Sequence, residues 1–311
     1  MRSWSSPCDW SGASTPLVEA TLLQRLAATQ AVATREASAT ALGLVGSKQA
    51  MAALQGLLGE ESDGLRANAV WSLGRLDDAG RPAVRRALRD DAALVRDAAA
   101  SALGMLEDQD AVDELLRVVR TDKVARVRRT AAWALGNLEE KRAGAGLVAS
   151  LRAETDEEVR ETIVWALGNI EATDAAPALA DVLRRDANGD VREMAAWALG
   201  ELEVASAAGA LGEAAGGDAE PSVRATAAWA LGQFELRQAP SGLIKAVTDR
   251  DPDVRTRRVG AGRDARSAGD HRTARGPSGR ERPRRAQGAG PRARPLGREV
   301  RGVLQGTAHL R

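Results

Sequence analysis

The sequence predicts an all-α chain assembled from repeated helix pairs, and two observations carry that expectation. The word V-R-x-x-x-x-W-A-L-G occurs at Val127–Gly136, Val159–Gly168, Val191–Gly200 and Val223–Gly232, with weaker copies at Leu65–Gly74 and Val95–Gly104. Its Leu-Gly pair begins at 42, 73, 103, 135, 167, 199 and 231, and a near-constant step of 30 to 32 residues marks a stack of supersecondary units. The apolar share, 44%, is mostly Ala, Leu and Val, with one Phe and no Tyr. Thin side chains of that kind suit closely packed helices rather than an all-β core.

In chain order, residues 1–15 read as a loose leader and 16–32 as a capping helix. Pro16 suits a first helical turn, and Leu17, Val18, Leu22, Leu23 and Leu26 follow at helical spacing. The array then runs over 33–256 as seven pairs, near 33–64, 65–94, 95–125, 126–157, 158–189, 190–221 and 222–252. Within a pair, Val127, Ala131, Ala134, Leu135 and Leu138 share one helical face. Gly136 either ends that helix or admits the next one closely. A short polar turn leads to a second helix, as in Ala111–Val119 or Ala175–Leu183, where Pro177 fits the first turn. Thr155-Asp156, Gly189-Asp190 and Asp251-Pro-Asp253 supply N-cap signals for the following first helix. The second helix of the sixth pair, Ala207–Gly217, holds four glycines. At about 1 kcal/mol each against Ala, they make it the expected weak point.

Charge is unevenly spread. Residues 257–311 hold 15 Arg against four acids, while residues 1–256 hold 29 basic and 39 acidic groups, so a formal charge of +1 conceals a basic tail on an acidic body. An acidic array argues against binding of phosphate backbones by the repeats; nucleic acid is open only to the tail. The pattern stops within a word, since Asp253-Val-Arg-Thr256 begins an eighth copy and Arg257-Arg-Val-Gly follows. Codons allowed for Arg258–Asp264 can spell A-W-A-L-G-E in the second phase, so residues from about 257 are expected to be out of frame. The other reading is a disordered basic tail for nucleic acid or an acidic partner. The nucleotide sequence decides between them. If the array ends there, residues 222–256 are expected to fray or self-associate.

The repeated V-R-x-x-A-A-W-A-L-G-x-L with its second short helix resembles HEAT repeats of the bilin-lyase-like (PBS lyase HEAT-like) type, over about 33–256. The resemblance implies a right-handed α-α superhelix of about seven pairs with an irregular tail, its second helices lining the concave side. It also implies a ladder of Arg66, Arg96, Arg128, Arg160, Arg192 and Arg224 with acids near the turns. Members of that family include binding scaffolds, bilin lyases and a hydroxylase using His-Glu metal pairs.

Catalytic constellations are absent from the sequence. The histidines, His271 and His309, lie in the tail and neither precedes a Glu, which removes triads, H-E-x-x-H sites and His-Glu pairs. Cys8, the single cysteine, excludes an internal disulfide framework and a cysteine metal cluster. Asp186-Ala-Asn-Gly-Asp190 lacks the glycine and glutamate a calcium loop requires and reads as a turn. No metal or cofactor is expected, and no secretory signal or membrane span, so the expected location is cytoplasmic. Trp133, Trp165, Trp197 and Trp229 sit on the flank of the buried stripe, filling grooves between repeats or anchoring a peptide. The face of the second helices is mostly small, with scattered charges such as Arg117, Asp181 and Lys245. Together these point to a non-catalytic scaffold that binds a protein or peptide. A bilin-lyase-like enzyme or tetrapyrrole chaperone is a second reading, which unchanged bilin absorption on mixing would sink. A third is a regulatory module cut from a larger protein.

Overall fold

A computed structural model describes residues 15–76, 78–234 and 240–256. The described residues fall into two compact bodies that divide between Val118 and Val119. Among the described residues there are sixteen helices and no strand, an all-α helical repeat. Most of the expected leader and the whole of 257–311 lie outside the described residues.

The first body contains α1 (Thr15–Arg25), α2 (Val32–Val45), α3 (Lys48–Gly56), α4 (Asp63–Leu73), α5 (Arg81–Ala87), α6 (Ala93–Met105) and most of α7 (Val112–Thr121). First helices α2, α4 and α6 pack side by side, and α1 covers α2 and α3. Only the later part of the α1 stripe is covered: Leu26 is buried, Leu22 and Leu23 are half-buried, and Leu17 stands 72% exposed. Ser47 caps α3 at the Ala50 amide (2.9 Å) and Ser62 caps α4 at the Leu65 amide (3.3 Å).

The second body repeats the pattern more regularly. Its pairs are α8 (Ala125–Asn137) with α9 (Gly144–Ala153), α10 (Glu157–Asn169) with α11 (Ala176–Arg185), α12 (Gly189–Leu202) with α13 (Ala208–Gly217), and α14 (Pro221–Leu231) with α15 (Ser241–Val247). A single turn, α16 (Pro252–Thr256), follows. First helices α8, α10, α12 and α14 pack in series, as do second helices α11, α13 and α15. Val159, Ile163, Leu167 and Leu179 are wholly buried, each contributing roughly 1.5–3 kcal/mol by leaving water. Asp156 caps α10 through the Val159 amide, whereas α12 is capped by Asn188, one residue before the expected Gly189-Asp190.

At three copies the repeated glycine is a seat rather than a helix stop, whereas Gly74 and Gly232 stand as the C-caps of α4 and α14. Gly136, Gly168 and Gly200 lie inside their helices, and a Cβ at Gly136 would strike the Trp165 ring. Chain reversal falls three residues later, at Glu107, Glu139, Glu171 and Glu203, with φ of 50–52°. After α10, the Glu171 amide donates to Gly168 O and the Ala172 amide to Leu167 O, both at 3.1 Å, a Schellman closure with Glu in the left-handed place.

The weak glycine helix does form, as α13, and its glycines let α15 dock backbone to backbone. A Cβ on Gly216 would lie 2.8 Å from Gly242 Cα, and one on Gly212 3.0 Å from Pro240. Two substitutions separate these roles. Gly200→Val, whose Cβ would meet Ala230 at 2.8 Å and the Trp229 ring at 2.9 Å, is expected to destabilise by about 1–3 kcal/mol despite better helix propensity. Gly209→Ala, with nothing within 4 Å, should stabilise by about 0.4–1 kcal/mol. Urea unfolding of both variants checks the pair, and equal signs would remove the distinction.

Candidate interaction surface

A shared ladder of arginines joins the repeats within each body. In the second, Arg160 Nε and Nη2 donate to the Asp186 carboxylate at 2.7 and 3.0 Å. The carbonyl of that same Asp186 accepts from Arg192 Nη1 at 2.9 Å, and its Oδ1 accepts the Asn188 amide. Asp218 likewise takes Arg192 on its carboxylate and Arg224 on its carbonyl. Asp249 takes Arg224 and Arg255 in the same way. Each acid therefore holds two successive arginines, one by charge and one by backbone. In the first body Glu60 pairs with Arg35 and gives its carbonyl to Arg66, and Asp90 repeats this with Arg66 and Arg96. Arg35, in the most degenerate repeat, was not legible in sequence because no Val precedes it.

The tryptophans divide by burial. Trp165 is 1% and Trp229 5% exposed, with Trp165 over Gly136 and Trp229 over Gly200. Trp197 is half-buried over Gly168, and Trp133 is half-buried. In the first body Trp71 stacks under the Arg75 guanidinium, 4.9 Å from its centroid. At Trp165 and Trp229 the ring is spent on stacking, leaving little surface for a ligand.

The second helices carry a row of accessible side chains. Ala149, Asp181, Glu213 and Lys245 occupy one register position on α9, α11, α13 and α15, and all four are exposed. Arg184 on α11 crosses to Glu213 on α13 at 2.7 Å, and that carboxylate holds the guanidinium above its ordinary pKa. Two grooves flank α13. One, between α11 and α13, is lined by Arg184, Asp186, Arg192, Glu213 and Gly217. The other, between α13 and α15, has a glycine floor (Gly209, Gly212, Gly216) beside Ser241 and Lys245. Of the sequence candidates, Asp181 and Lys245 thus lie on this face of the second body. Arg117 lies in the first body, half-buried, donating to Leu88 O at 3.2 Å. Sequence reasoning missed Arg184, Glu213 and the glycine floor, although the four glycines of residues 207–217 were the available signal.

Among the described residues no group of three His, Cys, Asp or Glu side chains could hold a metal ion, and no helix is long and apolar enough to cross a membrane.

HEAT repeats match residues 19–104, 81–168, 125–200 and 176–261 of the chain. A comparison with curated proteins finds no match. Among solved structures, the E. coli protein YibA is similar with a TM-score of 0.56 at 18% identity, over 78% of this chain and 93% of that one. Yeast importin-β is similar with a TM-score of 0.54 at 16% identity, over 78% of this chain and 40% of that one. The CpcE–CpcF phycocyanin lyase complex from Nostoc gives 0.43 at 22% identity, over 79% and 96%. At these identities the likeness is one of fold.

Proposed function

Because the chain belongs to the HEAT-repeat family, we propose that it is a non-catalytic scaffold whose second helices bind a segment of a partner protein. The observation that supports this reading is the pair of grooves on either side of α13. There the side chains are thin enough to bring a ligand close to the backbone, and Asp181, Arg184, Glu213 and Lys245 offer both signs of charge for register. Alternating charge of this kind selects a partner by pattern more than it adds affinity. Arg192 lines the first groove but is committed to Asp218 and to the Asp186 carbonyl, so the ladder arginines are not among the contacts offered to a ligand.

Gly209 gives a clean test, because it lines the groove and a Cβ there has nothing within 4 Å. Peptides selected from a random displayed library against the full chain are expected to bind about tenfold more weakly to Gly209→Trp, a loss of about 1.4 kcal/mol. Lys245→Glu should change which peptides are selected, with the melting temperature of both variants held. Selected peptides that ignore both substitutions would overturn the assignment of this face.

A further inference from the structure

The last described junction of the second body, from α14 to α16, is an unfinished copy of the junctions before it. Val254 on α16 is 2% exposed, and Asp251 accepts the Asp253 and Val254 amides at 2.8 and 3.4 Å. Arg255 Nη1 donates to Asp249 O at 2.7 Å and Arg250 O at 3.0 Å, which is the backbone half of the arginine contact. Arg160, Arg192 and Arg224 complete that contact with a carboxylate 25 or 26 residues on. Arg255 has no such carboxylate among the described residues. The second helix shows the same break. Val247 stands 58% exposed where Leu183 and Ala215 are at most 1%, and Ile244 64% exposed where Ala180 is 8% and Gly212 is buried. Gly232 holds in sequence the place of Gly136, Gly168 and Gly200, each of which seats a tryptophan of the next repeat.

We propose that this end face is an acceptor for one further helix pair of the same repeat class, continuing from α16. Its first helix lays a Trp-Ala-Leu-Gly face on α14 with the indole over Gly232. Its second helix covers Ile244 and Val247 and ends in a carboxylate for Arg255. Continuity with the α10–α12–α14 series specifies the shape of the occupant, and the open edge of Arg255 specifies its charge. Residues 257–311 do not have that make-up: they contain no Trp, and their Leu-Gly pair falls as late as Leu296. Glu281 stands 26 residues after Arg255, but between Arg280 and Arg282 and without the intervening word. Codons allowed for Arg258–Asp264 can spell A-W-A-L-G-E in the second phase, which has the residue types such a first helix needs.

The test compares the full chain with a version in which a copy of residues 226–253 replaces 257–311. Amide exchange in α14 and α15 is expected to slow by about tenfold or more in the extended chain, as an end repeat becomes an internal one. Ile244→Asp and Arg255→Ala should each lower its melting temperature by several degrees more than they do in the full chain. Unchanged exchange in α14 and α15, or an appended segment that stays unfolded, would overturn the proposal. So would faster exchange on Glu281→Gln in the unaltered chain, since the tail would then be covering the face itself.

Discussion

Replacing Trp165 with Ala is expected to cost about 3–5 kcal/mol, the range for emptying a buried aromatic site. The ring is 1% exposed and sits directly on Gly136, whose missing Cβ is the space it fills. The hole cannot close by a side-chain shift from the other side, because a glycine has none to offer. The same substitution at Trp133 should cost distinctly less, since that residue is less completely buried than Trp165. Urea unfolding monitored by circular dichroism reads both. Equal losses at the two positions, or a loss at Trp165 below about 1 kcal/mol, would contradict the seat-and-ring account of stacking.

Arg128→Ala is expected to cost about 3 kcal/mol, because it strands a carboxylate that the fold has removed from water. The Glu154 side chain is 5% exposed and accepts from Arg128 Nε and Nη2 at 2.7 and 2.8 Å and from the Thr155 and Asp156 amides. Burial alone pushes the Glu154 carboxyl up, but the Arg128 hydrogen bonds, the amides and the nearby positive charge outweigh it, and its pKa falls below the ordinary carboxylate value. At Asp249 the hydrogen bonds from Arg224 act against weaker desolvation and bring the pKa to about 2. A depressed folded-state pKa stabilises the fold above the unfolded value, and the contribution disappears as pH drops through the folded one. The protein should therefore hold its stability down to about pH 4 and lose it progressively toward pH 2. Glu154's share of that acid sensitivity should be smaller in Arg128→Ala. Unfolding free energies at pH 7, 4 and 3 check both statements, and a flat profile would contradict them.

The helix pairs were legible because the word repeats at fixed register, so Val127, Ala131, Leu135 and their copies announce one buried face each. The ladder was expected from the resemblance to bilin-lyase-like HEAT repeats, which implies acids near the turns for Arg66, Arg96, Arg128, Arg160, Arg192 and Arg224. The glycine's role could not be decided locally. Gly136 near the end of an apolar stripe fits a helix stop as well as a seat, and only the neighbouring repeat supplies the indole that distinguishes them. The true reversal at Glu139, Glu171 and Glu203 was invisible, since Glu has no preference for the left-handed region. In α13, propensity pointed to a weak helix, whereas the structure uses the same glycines for close approach. The grooves beside α13 follow from that approach and from no motif.

The double contact made by each turn acid also has a mechanical consequence. Within residues 119–256, tension drawn along the stack would pass from one repeat to the next through Asp186, Asp218 and Asp249 in series, each gripping two arginines. Such a chain of similar clasps yields link by link rather than all at once. Stretching it should therefore give a sawtooth of small, evenly spaced releases about one repeat in length, with the first at whichever clasp is least sheltered.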